Sequence, residues 1–343
     1  MNNNEAEKRA ALLLNYKLFS FKQLITFFKY SRKTSKDLSK LISRSKYSIL
    51  LDMLYSNLRY GAMDNRDYLL FEFYRKNGNE KNKFLTKRRY YQLIKRFDKE
   101  TFINLMNKEY MYRDYDKFIG RKWILVGPNS NEKEIYSFLS KFETVLIKPL
   151  SSEQGKGIYK LHINNLDKVS SFISDTRSNH YLIEEILENC NALNQINPTS
   201  LNTVRVYTIC KQDGNVEIIS AALRCGCKNS EVDNWGAGGV GYNINLDLGI
   251  IDMAGIDKKG NHFCIHPYTN LKMLGFEIPF WSDIKRFSEE VIKHNPKVVY
   301  AGLDIAVTPY GIKLVEINFP GGHDFLQAID KIGKYDKIRS IFE

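Results

Sequence analysis

The 343-residue sequence predicts an α+β protein with a basic, mainly helical N-terminal region. Three observations carry that reading. Residues 5–110 contain no proline and repeat apolar residues at three- and four-residue spacing, as amphipathic helices do. From about residue 122 the pattern changes to β-rich runs with short connections and one helical stretch between them. Charge divides near the same place: residues 1–110 hold 24 Lys and Arg against 11 Asp and Glu, whereas residues 111–343 hold 27 against 28. The whole excess of the +12 net charge therefore lies in the first third of the chain.

Taken in order, SKDLSKLISR and KRRYYQLIKRF show the helical spacing, with Ser or Thr near several starts. YGAMDNRDYLLFEFYRKNGNEKNKF reads as a turn, a helix and a polar loop around Asn77-Gly78. The strands expected next are WILVG, TVLIKPL, GIYKLHI, YLIEEIL, NTVRVYTI and VEIISAALRCG, with LDKVSSFISDT as the helix among them. The boundary between the two regions falls between about 100 and 120.

An apolar fraction of 43% and a charged fraction of 26% fit a soluble globular chain. No stretch approaches the roughly 18–20 apolar residues of a membrane helix. The run AALLL is broken by Asn15 and Lys17 and lacks a signal-peptide core. Cys190, Cys210, Cys225, Cys227 and Cys264 form no CxxC pair and have no histidine at zinc-ligand spacing, which points to reduced thiols in a cytoplasm. No RNP-like sequence, zinc finger or helix-turn-helix is evident, so nucleic acid is disfavoured. The basic first third suits an acidic glycan or an anionic membrane face, but the general Lys, Asn, Ile and Tyr bias favours a lysine-rich surface with no partner.

The chemistry begins with GLDIAVTPYGIKLVEINFPGG, residues 302–322, where Asp304, Glu316 and Asn318 interrupt two buried-strand runs. A three-residue hairpin loop, Pro309 to Gly311, pairs Thr308 with Ile312 and sets Asp304 opposite Glu316. Asn318, two residues on, projects from the same face. Three oxygen donors on one side of a hairpin suit Mg²⁺, sharing phosphate oxygens. Two carboxylates at a wet sheet edge give the same pattern without a metal. In TVLIKPLSSEQGKGIYKL, Lys148 lies in an apolar strand ahead of a loop whose small residues let backbone N–H groups approach phosphate. The loop is neither a Walker A motif nor the kinase order. Lys148 can also be an ordinary strand-end lysine. Arg205 and Arg224 sit in apolar strands, suited to bidentate binding of phosphate or carboxylate or to structural ion pairs. His323, just beyond the acidic strand, is placed either as a base or as a loop residue without a role, and His162 reads as structural.

The order of these motifs resembles the ATP-grasp superfamily, and most closely its branch associated with sugar transfer and polysaccharide gene clusters. The resemblance covers roughly residues 105–330. It implies an ATP-grasp fold, with a helical region at 1–105 and a catalytic region at 106–343, its small lobe at about 144–188 and its large lobe at 189–343. It assigns Lys108 and Lys148 to the nucleotide phosphates and Ser151, Ser152, Gly155, Lys156 and Gly157 to the flexible loop above them. Glu184, Glu185, Ile186 and Leu187 become the strand end that receives adenine. Arg205 and Arg224 become the residues for the transferred phosphoryl group, and Asp304, Glu316 and Asn318 the metal set. The cofactors implied are ATP and two Mg²⁺, with Mn²⁺ as a substitute. The activity implied is carboxylate–amine ligation through an acyl phosphate, on sugar-linked substrates of surface polysaccharide, in the cytoplasm or at the inner membrane face. A phosphotransferase on a sugar or small acid uses the same residues, and a non-catalytic nucleotide-binding protein is the remaining reading.

Overall fold

The structure, a computed structural model, describes residues 3–16, 21–63, 65–150, 157–226 and 235–343. Among them nine α-helices precede the first strand: α1 (Asn3–Leu14), α2 (Phe21–Leu41), α3 (Lys46–Tyr60), α4 (Asn65–Leu70), α5 (Gly78–Asn82), α6 (Lys87–Leu93), α7 (Lys99–Met106), α8 (Lys108–Asp114) and α9 (Asp116–Ile119). Side-chain caps fix several starts. Ser45 accepts from the Ser48 N–H ahead of α3, Asp98 caps α7, and Asn77 with Glu80 forms a reciprocal box at α5. Gly61, at φ +78°, closes α3 in the left-handed conformation that glycine adopts without strain.

A smaller antiparallel sheet follows, built from β1 (Trp123–Val126), β2 (Thr144–Pro149), β3 (Tyr159–His162) and β4 (Tyr181–Glu185) in the order β1-β4-β2-β3. It begins at Trp123, ahead of the expected start near 144, because β1 pairs with β4 across the whole lobe. α10 (Glu132–Leu139) and α11 (Leu166–Thr176) cover one face. Their Ile135, Phe138, Leu139, Val169, Phe172 and Ile173 meet Val145, Ile147, Leu161 and Ile183 in a core of its own. Since strand side chains alternate, burying Val145, Ile147 and Ile183 turns Lys148 and Glu184 to the other face.

The larger sheet has seven strands: β5 (Thr203–Cys210), β6 (Val216–Cys225), β7 (Val240–Asn243), β8 (Gly255–Ile256), β9 (His262–Phe263), β10 (Tyr300–Thr308) and β11 (Gly311–Asn318), in the order β11-β10-β5-β6-β7-β8-β9, antiparallel throughout. α12 (Asn191–Asn194) precedes it, α13 (Trp281–His294) packs on β5, β6 and β11, and α14 (Phe325–Ala328) and α15 (Tyr335–Arg339) end the chain. Met53, Phe71, Phe73 and Phe102 of the helical region join Val206, Leu303 and Ile317 of this sheet in one core. Gln327 fastens the same junction, accepting from the Leu85 N–H at 2.8 Å and donating to the Leu85 carbonyl at 3.0 Å. No helix among the described residues is long and apolar enough to cross a membrane.

The β10–β11 hairpin differs from the expected one in two compensating ways. Thr308 pairs with Gly311, so the corner is the two residues Pro309 and Tyr310. Val315 is then unopposed, a bulge between Leu314 and Glu316. Its extra residue restores the register, and Asp304 does lie opposite Glu316.

Candidate functional site

Two buried acids organise the groups that the sequence singles out. On the larger sheet, the β10–β5 register sets Asp304 directly across from Arg205. Arg205 donates through Nε to Asp304 Oδ1 and through Nη2 to Oδ2 at 2.9 Å, a bidentate pair, and Arg224 adds Nη1 to Oδ1 at 2.8 Å. Asp304 is only 3% exposed. Burial alone would raise its carboxyl, but the two guanidinium groups overcome that and lower it to about 2. The compensation for this buried charge thus comes from the protein. Gly302 makes room for it, since a Cβ there would stand 3.2 Å from the Arg205 side chain and 3.1 Å from the Tyr207 ring.

Glu316 is the opposite case. Its side chain is exposed and makes no hydrogen bond among the described residues. The protein crowded around it and the charge of Asp304 raise its carboxyl, while Arg205, Lys108 and Lys148 pull it down. Asn318 donates its Nδ2 to the Gly302 carbonyl at 3.3 Å, which leaves the amide oxygen as an acceptor. One acid is neutralised and its neighbour is left seeking a cation. Among the described residues no three His, Cys, Asp or Glu side chains gather to hold a metal. The donor set that fits a hard cation is therefore the Glu316 carboxylate with the Asn318 oxygen, beside an Asp304 whose own oxygens are engaged.

The smaller sheet repeats the first arrangement. Leu146 pairs with Glu184 across β2 and β4, so Lys148, two residues on, is its diagonal neighbour. Lys148 Nζ pairs with Glu184 Oε1, and Arg121 reaches Oε2 through Nε at 2.9 Å and Nη2 at 2.7 Å. Tyr112 donates its hydroxyl to Oε2 at 2.6 Å. Burial opposes ionisation of Glu184, yet Arg121 and Lys148 lower it to about 2. Lys148 is raised above its ordinary value because Glu184 outweighs burial. Arg121 also donates to the Leu314 carbonyl at 2.8 Å, two residues from Glu316, and so ties the two sheets together. Neither Arg121 nor Tyr112 stands out in the sequence. The available signal is a charged residue wedged between the apolar end of α9 and β1, just after the left-handed Gly120.

The remaining expected residues fall as follows. Lys108 begins α8 and donates to the Pro149 carbonyl at 3.0 Å, next to Lys148 in sequence. Ser151, Ser152, Gly155 and Lys156 lie outside the described residues. Gly157, at φ +71°, packs where a Cβ would meet the Pro149 ring at 3.2 Å. Glu185 accepts from the Lys122 N–H at 3.0 Å, and Ile186 and Leu187 are half-buried just past β4. Arg205 and Arg224 come together on Asp304. His323 contacts Asp67 Oδ1 through Nε2 at 3.2 Å and stacks on Tyr90. His162 meets the Thr144 hydroxyl at 2.9 Å. Cys190, Cys210 and Cys264 are free thiols, Cys225 is buried at the end of β6, and Cys227 is outside the described residues.

Two antiparallel sheets, with lysines on one and a paired-acid hairpin on the other, define an ATP-grasp fold. The sequence model of the sugar-transfer associated ATP-grasp family matches residues 82–341, most of the chain. The protein belongs to that family. No curated protein sequence matches it. Solved structures similar to it include D-alanyl-alanine synthetase A from Vibrio cholerae O1 biovar eltor, at 13% identity and TM-score 0.44, covering 72% of this chain and 67% of that one. The D-alanine–D-alanine ligase of Bacillus anthracis complexed with ATP is similar at 13% identity and TM-score 0.43, covering 71% and 67%. N5-carboxyaminoimidazole ribonucleotide synthetase from Thermotoga maritima is similar at 12% identity and TM-score 0.44, covering 71% and 50%. The chain spans about half the length of the synthetases of this last kind. The family assignment rests on the family match alone.

Proposed function

We propose that this protein is an ATP- and Mg²⁺-dependent carboxylate–amine ligase that works through an acyl phosphate. Its substrates are a uronic or other sugar acid and an amino acid or amine, in the synthesis or modification of a surface polysaccharide, with ATP drawn from the cytoplasm. The observation that carries this reading is Glu316. It is an exposed carboxylate without a hydrogen-bond partner among the described residues, opposite a second carboxylate, within the electrostatic reach of Arg205, Lys108 and Lys148.

In this reading Lys108 and Lys148 bind the nucleotide phosphates, and Glu184 acts by holding Lys148 in place. Residues 185–187 receive adenine, and the loop of Ser151, Ser152, Gly155, Lys156 and Gly157 covers the phosphates and excludes water. Mg²⁺ held by Glu316 and Asn318, beside Asp304, would offset phosphate charge. Arg205 and Arg224, fixed on one edge by Asp304, direct their remaining N–H groups to the transferred phosphoryl group and then to the oxyanion formed when the amine attacks. Phosphoryl transfer to the carboxylate releases ADP; amine attack on the acyl phosphate releases phosphate. The family's association with sugar transfer supports a sugar-linked acid.

The test is ADP and phosphate release from Mg-ATP over a panel of uronic-acid sugars with and without amino acids. Release only when acid and amine are both present, and at least about a hundredfold slower in Glu316→Gln, is the expected result. A phosphorylated product from one substrate alone identifies a phosphotransferase instead. Full activity in Glu316→Gln removes the residue from the site.

A further inference from the structure

The helix pair α2–α3 is built with its apolar and polar sides partly exchanged. On α3 the buried side is Ile49, Met53, Ser56 and Tyr60. Asp52 joins it by polar contacts, accepting from Lys81 Nζ at 2.6 Å and from the Tyr68 hydroxyl at 2.7 Å. The outward side is apolar. Tyr47, Leu51, Tyr55 and Leu58 follow one another at four, four and three residues, and Leu51 and Leu58 are 67% and 61% exposed. Sequence periodicity alone gives α3 two apolar stripes, and only the structure tells which one is covered. Lys46 stands 5.0 Å over the Tyr47 ring at the head of the exposed stripe.

On α2 the buried residues are Phe27, Ser31, Ser35 and Leu38. The opposite side carries Lys29, Lys33, Lys36 and Lys40, again at helical spacing and all exposed. None of the four makes an ion pair among the described residues. Asp37 is the one acid among the described residues of α2. The helix pair therefore exposes a row of lysines on α2, without ion pairs among the described residues, and a row of Tyr and Leu on α3. A free apolar stripe of this length costs solvation with nothing to cover it. The row of lysines on the adjoining helix repels a second copy of the same surface. Both features are satisfied together by a surface with negative headgroups and an apolar layer just beneath. Tyrosine suits that boundary, having an apolar ring and a polar tip.

We propose that α2–α3 is a docking surface for an anionic lipid bilayer, with the α2 lysines against headgroups and the α3 stripe in the interface. It lies flat, since no helix among the described residues spans a membrane. The surface is separate from the acid–arginine site and does not depend on the function proposed for that site.

The experiment is flotation of the 343-residue protein with vesicles of phosphatidylcholine alone or with phosphatidylglycerol added. The expected result is association with the anionic vesicles only, weakened by 0.5 M salt. Replacing Lys29, Lys33, Lys36 and Lys40 together by Gln lowers the partition coefficient by at least about tenfold. Leu51→Ser with Leu58→Ser lowers it by about tenfold as well. All six positions are exposed, so unchanged urea midpoints confirm that the variants are folded. Failure to float with anionic vesicles, or variants that float like wild type, overturns the proposal. A concentration-dependent dimer abolished by the two serine substitutions, without flotation, assigns the stripe to a second copy. Binding to soluble alginate that needs the lysines but not Leu51 and Leu58, again without flotation, assigns the lysines to an acidic glycan.

Discussion

Glu184 in the smaller sheet and Asp304 in the larger face the same electrostatic problem. Each is a nearly inaccessible carboxylate held ionised by two cations, Arg121 with Lys148 in one case and Arg205 with Arg224 in the other. What surrounds the two groups differs. Among the described residues Glu184 has two cations and no second acid, which leaves surplus positive charge there, and Lys108 adds to that side through Pro149. Asp304 has Glu316 opposite it, so its two arginines face two carboxylates, one of them exposed. The smaller sheet is thereby biased toward anions such as phosphate, and the larger toward a cation and an anion side by side. A shared way of burying charge has left one acid enclosed by cations and the other beside an exposed carboxylate.

The largest effect that tests this difference is on stability. Glu184→Gln leaves Arg121 and Lys148 without an acid and is expected to cost about 3–5 kcal/mol in urea unfolding. Asp304→Asn leaves two guanidinium groups as well, but Glu316 stands opposite to receive them. Its cost is expected to be smaller, about 2 kcal/mol. Adding Glu316→Gln to Asp304→Asn removes that substitute and brings the loss toward that of Glu184→Gln. Equal losses in the two single variants would show that Glu316 does not share the arginines, and the contrast between the groups would fail.

The dependence on pH separates them next. Glu184 and Asp304 are lowered from ordinary values of 4.5 and 3.8 to about 2. The folded state therefore binds their protons less readily than the unfolded chain. Their stabilisation is complete above about pH 5 and is lost as pH falls toward 2, on the order of 3 kcal/mol for Glu184 and 2 kcal/mol for Asp304. Glu316 has the opposite sign. Its carboxyl is raised, so the folded state holds the proton more readily and stability declines as pH rises from 4.5 through the folded value. Thermal melts should show Glu316→Gln gaining on wild type across that rise while both share the acid loss. Parallel curves above pH 5 would mean that neither the protein crowded around Glu316 nor Asp304 raises its carboxyl on balance.

Much of this arrangement is written locally in the chain. The six early strand runs and the hairpin appear where alternation and turn residues put them, because those signals act over a few residues. Asp304 opposite Glu316 followed from a corner read one residue too long, offset by a bulge at Val315 that no turn residue marks. The partners of the buried acids were less legible. Arg205 and Arg224 are visible as odd residues in apolar strands, but their common target lies 99 and 80 positions away. Arg121 and Tyr112 reach Glu184 across 63 and 72 positions and carry no pattern of their own. Which stripe of α3 faces outward was also beyond periodicity, since both stripes are apolar.

The smallest effect concerns the tyrosines that accompany each group. Tyr112 donates to Glu184 and accepts from Arg121 Nη2 at 2.7 Å, whereas the Tyr207 ring centroid lies 5.8 Å from the Arg205 guanidinium. Burial pushes both phenols up to about 12, so both stay neutral at any working pH. Tyr112→Phe removes two hydrogen bonds to charged partners and leaves the ion pairs, for an expected loss of about 1–2 kcal/mol, the same at pH 6 and pH 9. Tyr207→Phe should cost less than Tyr112→Phe, because it removes one hydrogen bond, to Arg205, and leaves both oxygens of Asp304 taken by guanidinium groups. If Tyr207→Phe proves the costlier, the larger-sheet group depends on its hydroxyl and is a clamp in its own right.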